Sequence, residues 1–122
     1  DIMRSGSRNP VALQTNSVRE ALLTMGKAKS GSISVVNKSG KLTGVFTDGD
    51  LRRHLAKNNS VLEQPLSKVM TRKPTSICEE ALAAEVMQIF NRSNIDDIVV
   101  VNAKREPVGL VDSQDLPKLK AL

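Results

Sequence analysis

The sequence predicts an α+β fold made of two copies of a β-α-β-β-α unit packed together with pseudo-twofold symmetry. Three observations predict it. First, Gly44-Val45-Phe46-Thr47-Asp48-Gly49-Asp50-Leu51 aligns with Gly109-Leu110-Val111-Asp112-Ser113-Gln114-Asp115-Leu116 at an offset of 65, and Val35-Val36-Asn37 aligns with Val100-Val101-Asn102 at the same offset. Second, strand-like and helix-like apolar periods alternate in the same order in each half. Third, a unit of roughly 60 residues with one sheet and two short helices buries too little surface by itself. The two sheets are therefore expected to pair, with residues 1–61 as the first repeat and 62–122 as the second.

In the first repeat, Val11-Ala12-Leu13 reads as a short extended piece after Pro10. Ser17 then caps a helix, with Glu20 three residues on as in a capping box; Val18, Ala21, Leu22 and Met25 form its apolar face. Ile33 to Asn37 reads as a strand, Lys38-Ser39-Gly40 as its turn, and Leu42 to Thr47 as the paired strand. A helix follows from Asp48, with Leu51 and Leu55 expected to face inward. Residues 57–68 read as a polar connector.

The second repeat yields a helix over Glu79–Phe90, a strand over Asp97–Val101, a loop through Asn102–Glu106 and a strand over Val108–Val111. A short helix at Ser113–Leu116 completes it, with Pro117 discouraging continuation. Ser76 is placed to cap the helix holding Glu79 and Glu80, and Cys78 reads as a small core or capping residue. Met25, Met70 and Met87 read as core filler.

Composition removes several function classes. The single cysteine and single histidine (Cys78 and His54) exclude a disulfide framework, a Cys-rich zinc site and a His-rich metal cluster. A reducing, cytoplasmic setting is the default. No apolar run approaches the roughly 20 residues of a membrane helix. Aromatic residues are 2% of the chain, which leaves little for base stacking. The net charge of +5 is concentrated in residues 1–61, with 10 Lys/Arg against 4 Asp/Glu, whereas residues 62–122 hold 8 against 9. That excess reads as a solvated or anion-binding face rather than a nucleic-acid surface, since no recognition motif accompanies it. The start at Asp1-Ile2-Met3 suggests a piece of a longer chain.

The sharpest chemical feature is Gly44-x-x-Thr47-x-x-Asp50. Gly44 lets a ligand or another chain segment approach its strand closely. Thr47 ends that strand and begins a helix, where free N–H groups favour a phosphate. Asp50 in the first turn is placed to accept the two hydroxyls of a ribose. A second reading stands beside this one: Thr47 or Asp48 is an N-cap, and Asp50 an acid suited to the helix dipole. Arg52 and Arg53 read either as phosphate or partner contacts or as a solvated helix face. In the copy Gly109-x-x-Asp112-x-x-Asp115, a carboxylate replaces the threonine. It repels phosphate unless a cation intervenes, so any two clefts should be unequal. No catalytic constellation is present in the sequence.

On the openings Asp1-Ile2-Met3 and Lys68-Val69-Met70, on Pro10 and Pro74, and on the Gly–Thr–Asp pattern, the chain resembles a tandem pair of CBS domains, the ligand-sensing Bateman module. The resemblance implies that Thr47 contacts a nucleotide phosphate, that Asp50 and Asp115 contact ribose hydroxyls, and that backbone near Val11, Ile33, Ile77 and Ile98 flanks the bases. The run Gly44 to Arg53, with the opening Asp-Ile-Met-Arg and the closing Gly109 to Leu116, is similar to the corresponding part of bacterial arabinose-5-phosphate isomerases. Those enzymes carry an N-terminal sugar isomerase (SIS) domain before the CBS pair and interconvert ribulose 5-phosphate and arabinose 5-phosphate for lipopolysaccharide or capsule synthesis. The implied role is regulatory, with no required cofactor and no catalysis in these residues. The implied effector is an adenine nucleotide or a CMP-linked sugar acid. The implied partners are the SIS domain and a second copy, giving a homodimer and a higher oligomer in the intact enzyme, with no nucleic acid and no membrane. A structural assembly role with vestigial clefts is the alternative; apolar surfaces on the two central strands and the helices of a repeat would then support the dimer.

Overall fold

Each repeat starts with three residues of strand parallel to the strand after its first helix, and this determines the rest of the layout. The computed structural model describes residues 3–80, 83–93 and 97–112. The first repeat runs β1 (Val11–Leu13), α1 (Val18–Ala28), β2 (Ser32–Val36), β3 (Leu42–Thr47) and α2 (Asp48–Leu55). A connector with a single 3-10 turn (Val61–Glu63) and a short helix α3 (Leu66–Val69) leads to β4 (Thr71–Arg72). The second repeat runs β5 (Ser76–Cys78), α4 (Ala83–Ser93), β6 (Asp97–Val101) and β7 (Pro107–Asp112). The expected helix at Ser113–Leu116, and Asp115 with it, lie outside the described residues.

The α1 start is the capping box expected from Ser17-x-x-Glu20. Glu20 N–H donates to Ser17 Oγ (3.1 Å) and Ser17 N–H donates to Glu20 Oε1 (3.0 Å). These bonds to Ser17 hold the Glu20 carboxyl below the usual carboxylate range. Val18, Ala21 and Met25 recur at helical spacing and are buried with Ile33, Val35 and Phe46 in the first core. In the second core, Val86 and Phe90 of α4 pack with Ile98, Val100 and Val111.

The sheets have orders β1-β2-β3-β4 and β5-β6-β7. In each, the first pair is parallel and the second antiparallel. The segment leading each repeat crosses to the other one. β4, which precedes the second repeat, pairs with β3 through Gly44↔Arg72 and Val45↔Thr71. Arg4, which precedes the first repeat, forms an antiparallel bridge with Leu110 of β7 through two backbone hydrogen bonds of 2.7 and 3.0 Å. Met70 lies over Gly44 and Met3 over Gly109, so each glycine leaves room for the methionine that the crossing brings. Between the sheets, Leu42 packs with Val99, Val101 and Leu110, and its N–H donates to Arg105 O (2.9 Å). These reciprocal contacts build the expected α+β pair of repeats.

Five local expectations are corrected. The connector is not a polar strap: Val61 and Leu66 are buried in the first core, because two repeats with short linkers must keep the linker in contact. Leu55 ends α2 and is 44% exposed, since α2 has only two turns and its last one clears the core. Ser76 and Cys78 lie in β5 rather than at a helix cap, and Cys78 is exposed. The helix expected from Glu79 is described from Ala83, because Glu79 N–H is bonded to Val101 O (3.0 Å) and extends the β5–β6 pairing. Among the described residues the central strand β2 offers no free apolar face, as it is buried along its whole length.

Candidate functional site

The turn from β3 into α2 joins Thr47 and Asp50 as the i,i+3 spacing requires. Asp50 N–H donates to Thr47 Oγ1 (3.1 Å), and Thr47 N–H donates to Asp50 Oδ2 (3.0 Å). The carboxylate takes two more partners. The Arg53 guanidinium, one turn on, donates to Oδ1, and the Thr71 hydroxyl, on the crossing strand, donates to the same oxygen (3.2 Å). Asp50 is only 2% exposed, whereas the Arg53 side chain over it is 68% exposed. The buried charge is therefore stabilised by a backbone N–H, a hydroxyl, a cation and the positive end of α2.

The other expected residues fall into three groups. Val11 and Ile33 lie on neighbouring strands: Val11 is opposite Ser34, while the Ile33 side chain is in the first core and its backbone pairs with Phe46. Ile98 repeats the place of Ile33 in the second core. Ile77 pairs with Val100 and so repeats the place of Ala12; Ser76, opposite Val99, is the true counterpart of Val11. Gly44 and Gly109 are covered by Met70 and Met3, which is the close approach of another chain segment. Arg52 is exposed on α2, beside Arg53.

The second cleft differs in charge. Asp112 stands opposite Asp97, where the first repeat has Thr47 opposite Ser32. A pair of hydroxyls is thus replaced by a pair of carboxylates. The Arg4 guanidinium lies 3.5 Å from Asp112, with both side chains mostly shielded from water. A cation of the chain itself thus stands beside Asp112. Arg4, Thr71, Ser32 and Ser34 were not singled out from the sequence as site residues. The alignment of Met3 with Met70 at an offset of 67 was the one signal that pointed toward Arg4 and Thr71. A surface depression of about 300 Å3 lined by Leu13, Gln14, Thr15, Asn37, Lys38 and Ser39 lies at the far end of the strands from Thr47. It shares no residue with the site.

Two β-α-β-β units, each completed by the segment that leads the other, define a pair of CBS domains. The chain belongs to the CBS-domain family, which it matches over residues 1–57 and 66–120. Among individual proteins, it is 38% identical over 116 residues to arabinose 5-phosphate isomerase KdsD of Pseudomonas aeruginosa, across 95% of this chain and 36% of that protein. It is 32% identical over 120 residues to KdsD of Francisella tularensis, across 98% of this chain and 36% of that protein. The chain thus spans about a third of the length of these relatives. Its fold is similar to that of the CBS domain pair of protein MJ0100, solved with 5′-methylthioadenosine and S-adenosyl-L-methionine. That match has a TM-score of 0.85 and 27% identity, and covers 99% of this chain and 93% of the other. No helix among the described residues is long and apolar enough to cross a membrane.

Proposed function

We propose that this chain is the ligand-sensing regulatory CBS pair of a cytoplasmic sugar-phosphate isomerase that interconverts D-ribulose 5-phosphate and D-arabinose 5-phosphate. The similarity to two arabinose 5-phosphate isomerases across nearly the whole chain carries this reading. Catalysis belongs to a preceding SIS domain, and the arabinose 5-phosphate formed feeds lipopolysaccharide or capsule synthesis. The effector is an adenine nucleotide or a CMP-linked sugar acid, bound at the Thr47–Asp50 turn. Its phosphate meets the α2 N-terminus, and its ribose diol takes the Asp50 oxygen now held by Arg53. A ligand that prefers one arrangement of the two repeats shifts the population of that arrangement, and typical couplings of this kind change the affinity at the coupled site about 5- to 150-fold.

A second reading is an assembly element whose clefts are vestigial. The satisfied state of Asp50 favours it, since the protein's own Arg53 and Thr71 already fill the carboxylate's capacity. Calorimetry separates the two. AMP, ADP, ATP, S-adenosylmethionine, CMP and a CMP-linked sugar acid are titrated into the chain and into Asp50→Asn, which keeps an acceptor for the helix cap. Saturable binding of one of them, lost in the folded Asp50→Asn protein, supports the sensor. No heat from any of them on a folded dimer supports the assembly role.

A further inference from the structure

Side chains alternate along β2, with Ile33 and Val35 entering the first core and Ser32, Ser34 and Val36 on the opposite face. That face is turned toward the second repeat, because Leu42, the register partner of Val36, packs against Val99, Val101 and Leu110. Ser32 and Ser34 are each 1% exposed, and among the described residues neither hydroxyl has a hydrogen-bond partner. Buried hydroxyls without partners destabilise the fold that contains them, and each calls for a reason. The fold itself does not supply one for Ser34. The equivalent position in the second repeat is Val99, which is buried without difficulty.

The placement of the two hydroxyls supplies the reason. Ser32 is directly across the ladder from Thr47, beside the N-terminus of α2. Ser34 is two residues farther along the same face, about 6.7 Å away, roughly the reach from a ribose to the far edge of its base. Ser34 N–H donates to Pro10 O (3.1 Å), and the neighbouring Asn9 Oδ1 is a third buried polar atom without a partner among the described residues. A row of polar groups thus runs from the anion-favouring helix end along the face of β2 turned toward the second repeat. We infer that Ser32 and Ser34 are specificity-determining contacts for a nucleotide, Ser32 toward its ribose phosphate end and Ser34 toward the polar edge of its base. The inference rests on the sensor reading above and deepens it.

Removing such hydroxyls has effects of opposite sign on stability and on binding, and this makes the test decisive. Melting of the ligand-free chain and calorimetry with AMP, CMP and ribose 5-phosphate are compared for wild type, Ser32→Ala, Ser34→Ala and Ser30→Ala. Ser30 is the control: its hydroxyl donates to Ser32 O (2.8 Å), so its removal lowers Tm. Ser32→Ala and Ser34→Ala are expected to raise Tm by about 4 °C and to weaken the better nucleotide about five- to tenfold. Ser34→Ala leaves ribose 5-phosphate, which has no base, unaffected. Unchanged or lowered Tm in folded Ser32→Ala and Ser34→Ala overturns the inference, because the hydroxyls are then satisfied in the free protein. Raised Tm with unchanged nucleotide affinity also overturns it while the sensor reading stands. A wild-type chain that binds none of the probes removes the sensor reading and this inference with it.

Discussion

Replacing Gly44 by alanine puts a methyl group 2.6 Å from Met70 Sδ, 3.0 Å from Met70 Cγ and 2.9 Å from the Thr71 carbonyl oxygen. The thioether can rotate away; the carbonyl is backbone of β4 and moves only if the crossing strand moves. Reaching ordinary contact requires a displacement of about half an ångström or more, in a packed layer where overfilling costs about 1–3 kcal/mol. The same shift stretches the Gly44↔Arg72 and Val45↔Thr71 pairing, with hydrogen bonds worth about 1 kcal/mol each. Alanine's smaller loss of backbone entropy returns about 0.4–1 kcal/mol. The net expectation is a loss of about 2–3 kcal/mol in urea or thermal unfolding. Gly26→Ala, in α1 with open space around the new methyl, should instead gain about 0.5–1 kcal/mol in the same assay. Adding Met70→Ala to Gly44→Ala should give a coupling energy of about 1 kcal/mol, as the sulfur contact disappears and the carbonyl contact remains. A Gly44→Ala protein within about 0.5 kcal/mol of wild type would refute the reasoning that the crossing strand needs this glycine.

Leu66, fully buried in the connector, should cost about 2–5 kcal/mol when cut to alanine, measured by denaturant midpoint; a polar strap would lose almost nothing. Beside it, where Ser17 is bridged to Pro65, Ser17→Ala should remove about 1 kcal/mol through the lost cap. The Glu20 half of that box is pH-dependent. Its carboxyl is held lower in the folded chain than in the unfolded one, so its contribution is complete above about pH 4.3 and disappears as pH falls through the lower folded value. The stability gap between wild type and Glu20→Ala should therefore close in acid, as followed by melting across pH 2–6. Arg53→Ala should change stability by about 1 kcal/mol or less, because the side chain is mostly exposed. It should tighten binding of any nucleotide whose ribose must otherwise displace Arg53 from Asp50, which calorimetry reads directly.

Parts of this architecture were legible because they are local or repeated. The Ser17/Glu20 and Thr47/Asp50 boxes depend on an i,i+3 spacing that any helix start imposes. The offset of 65 identified the equivalent strands in both halves, and the observed ladders pair β2 with β3 and β6 with β7 in matching register. The site was legible only in outline. Spacing joined Thr47 to Asp50, but it could not show that Asp50 is buried or that Thr71, on another element, donates to it.

The sequence by itself determined that there are two similar units, which residues form the central strands and the first helices of the first unit, and where a helix end and an acid meet. Tertiary structure decided which segment completes which sheet. β3 and β7 each leave backbone donors and acceptors open along one edge, and the linker at Thr71 and the leading segment at Arg4 satisfy them across the repeats. That crossing brings Met70 and Met3 onto the glycines, Thr71 onto Asp50 and Arg4 onto Asp112. Pairing of the sheets then turns Ser32 and Ser34 inward. Each of these contacts joins residues far apart in the chain, so no local pattern encodes it, and only the packing of two half-stable units against each other brings it about.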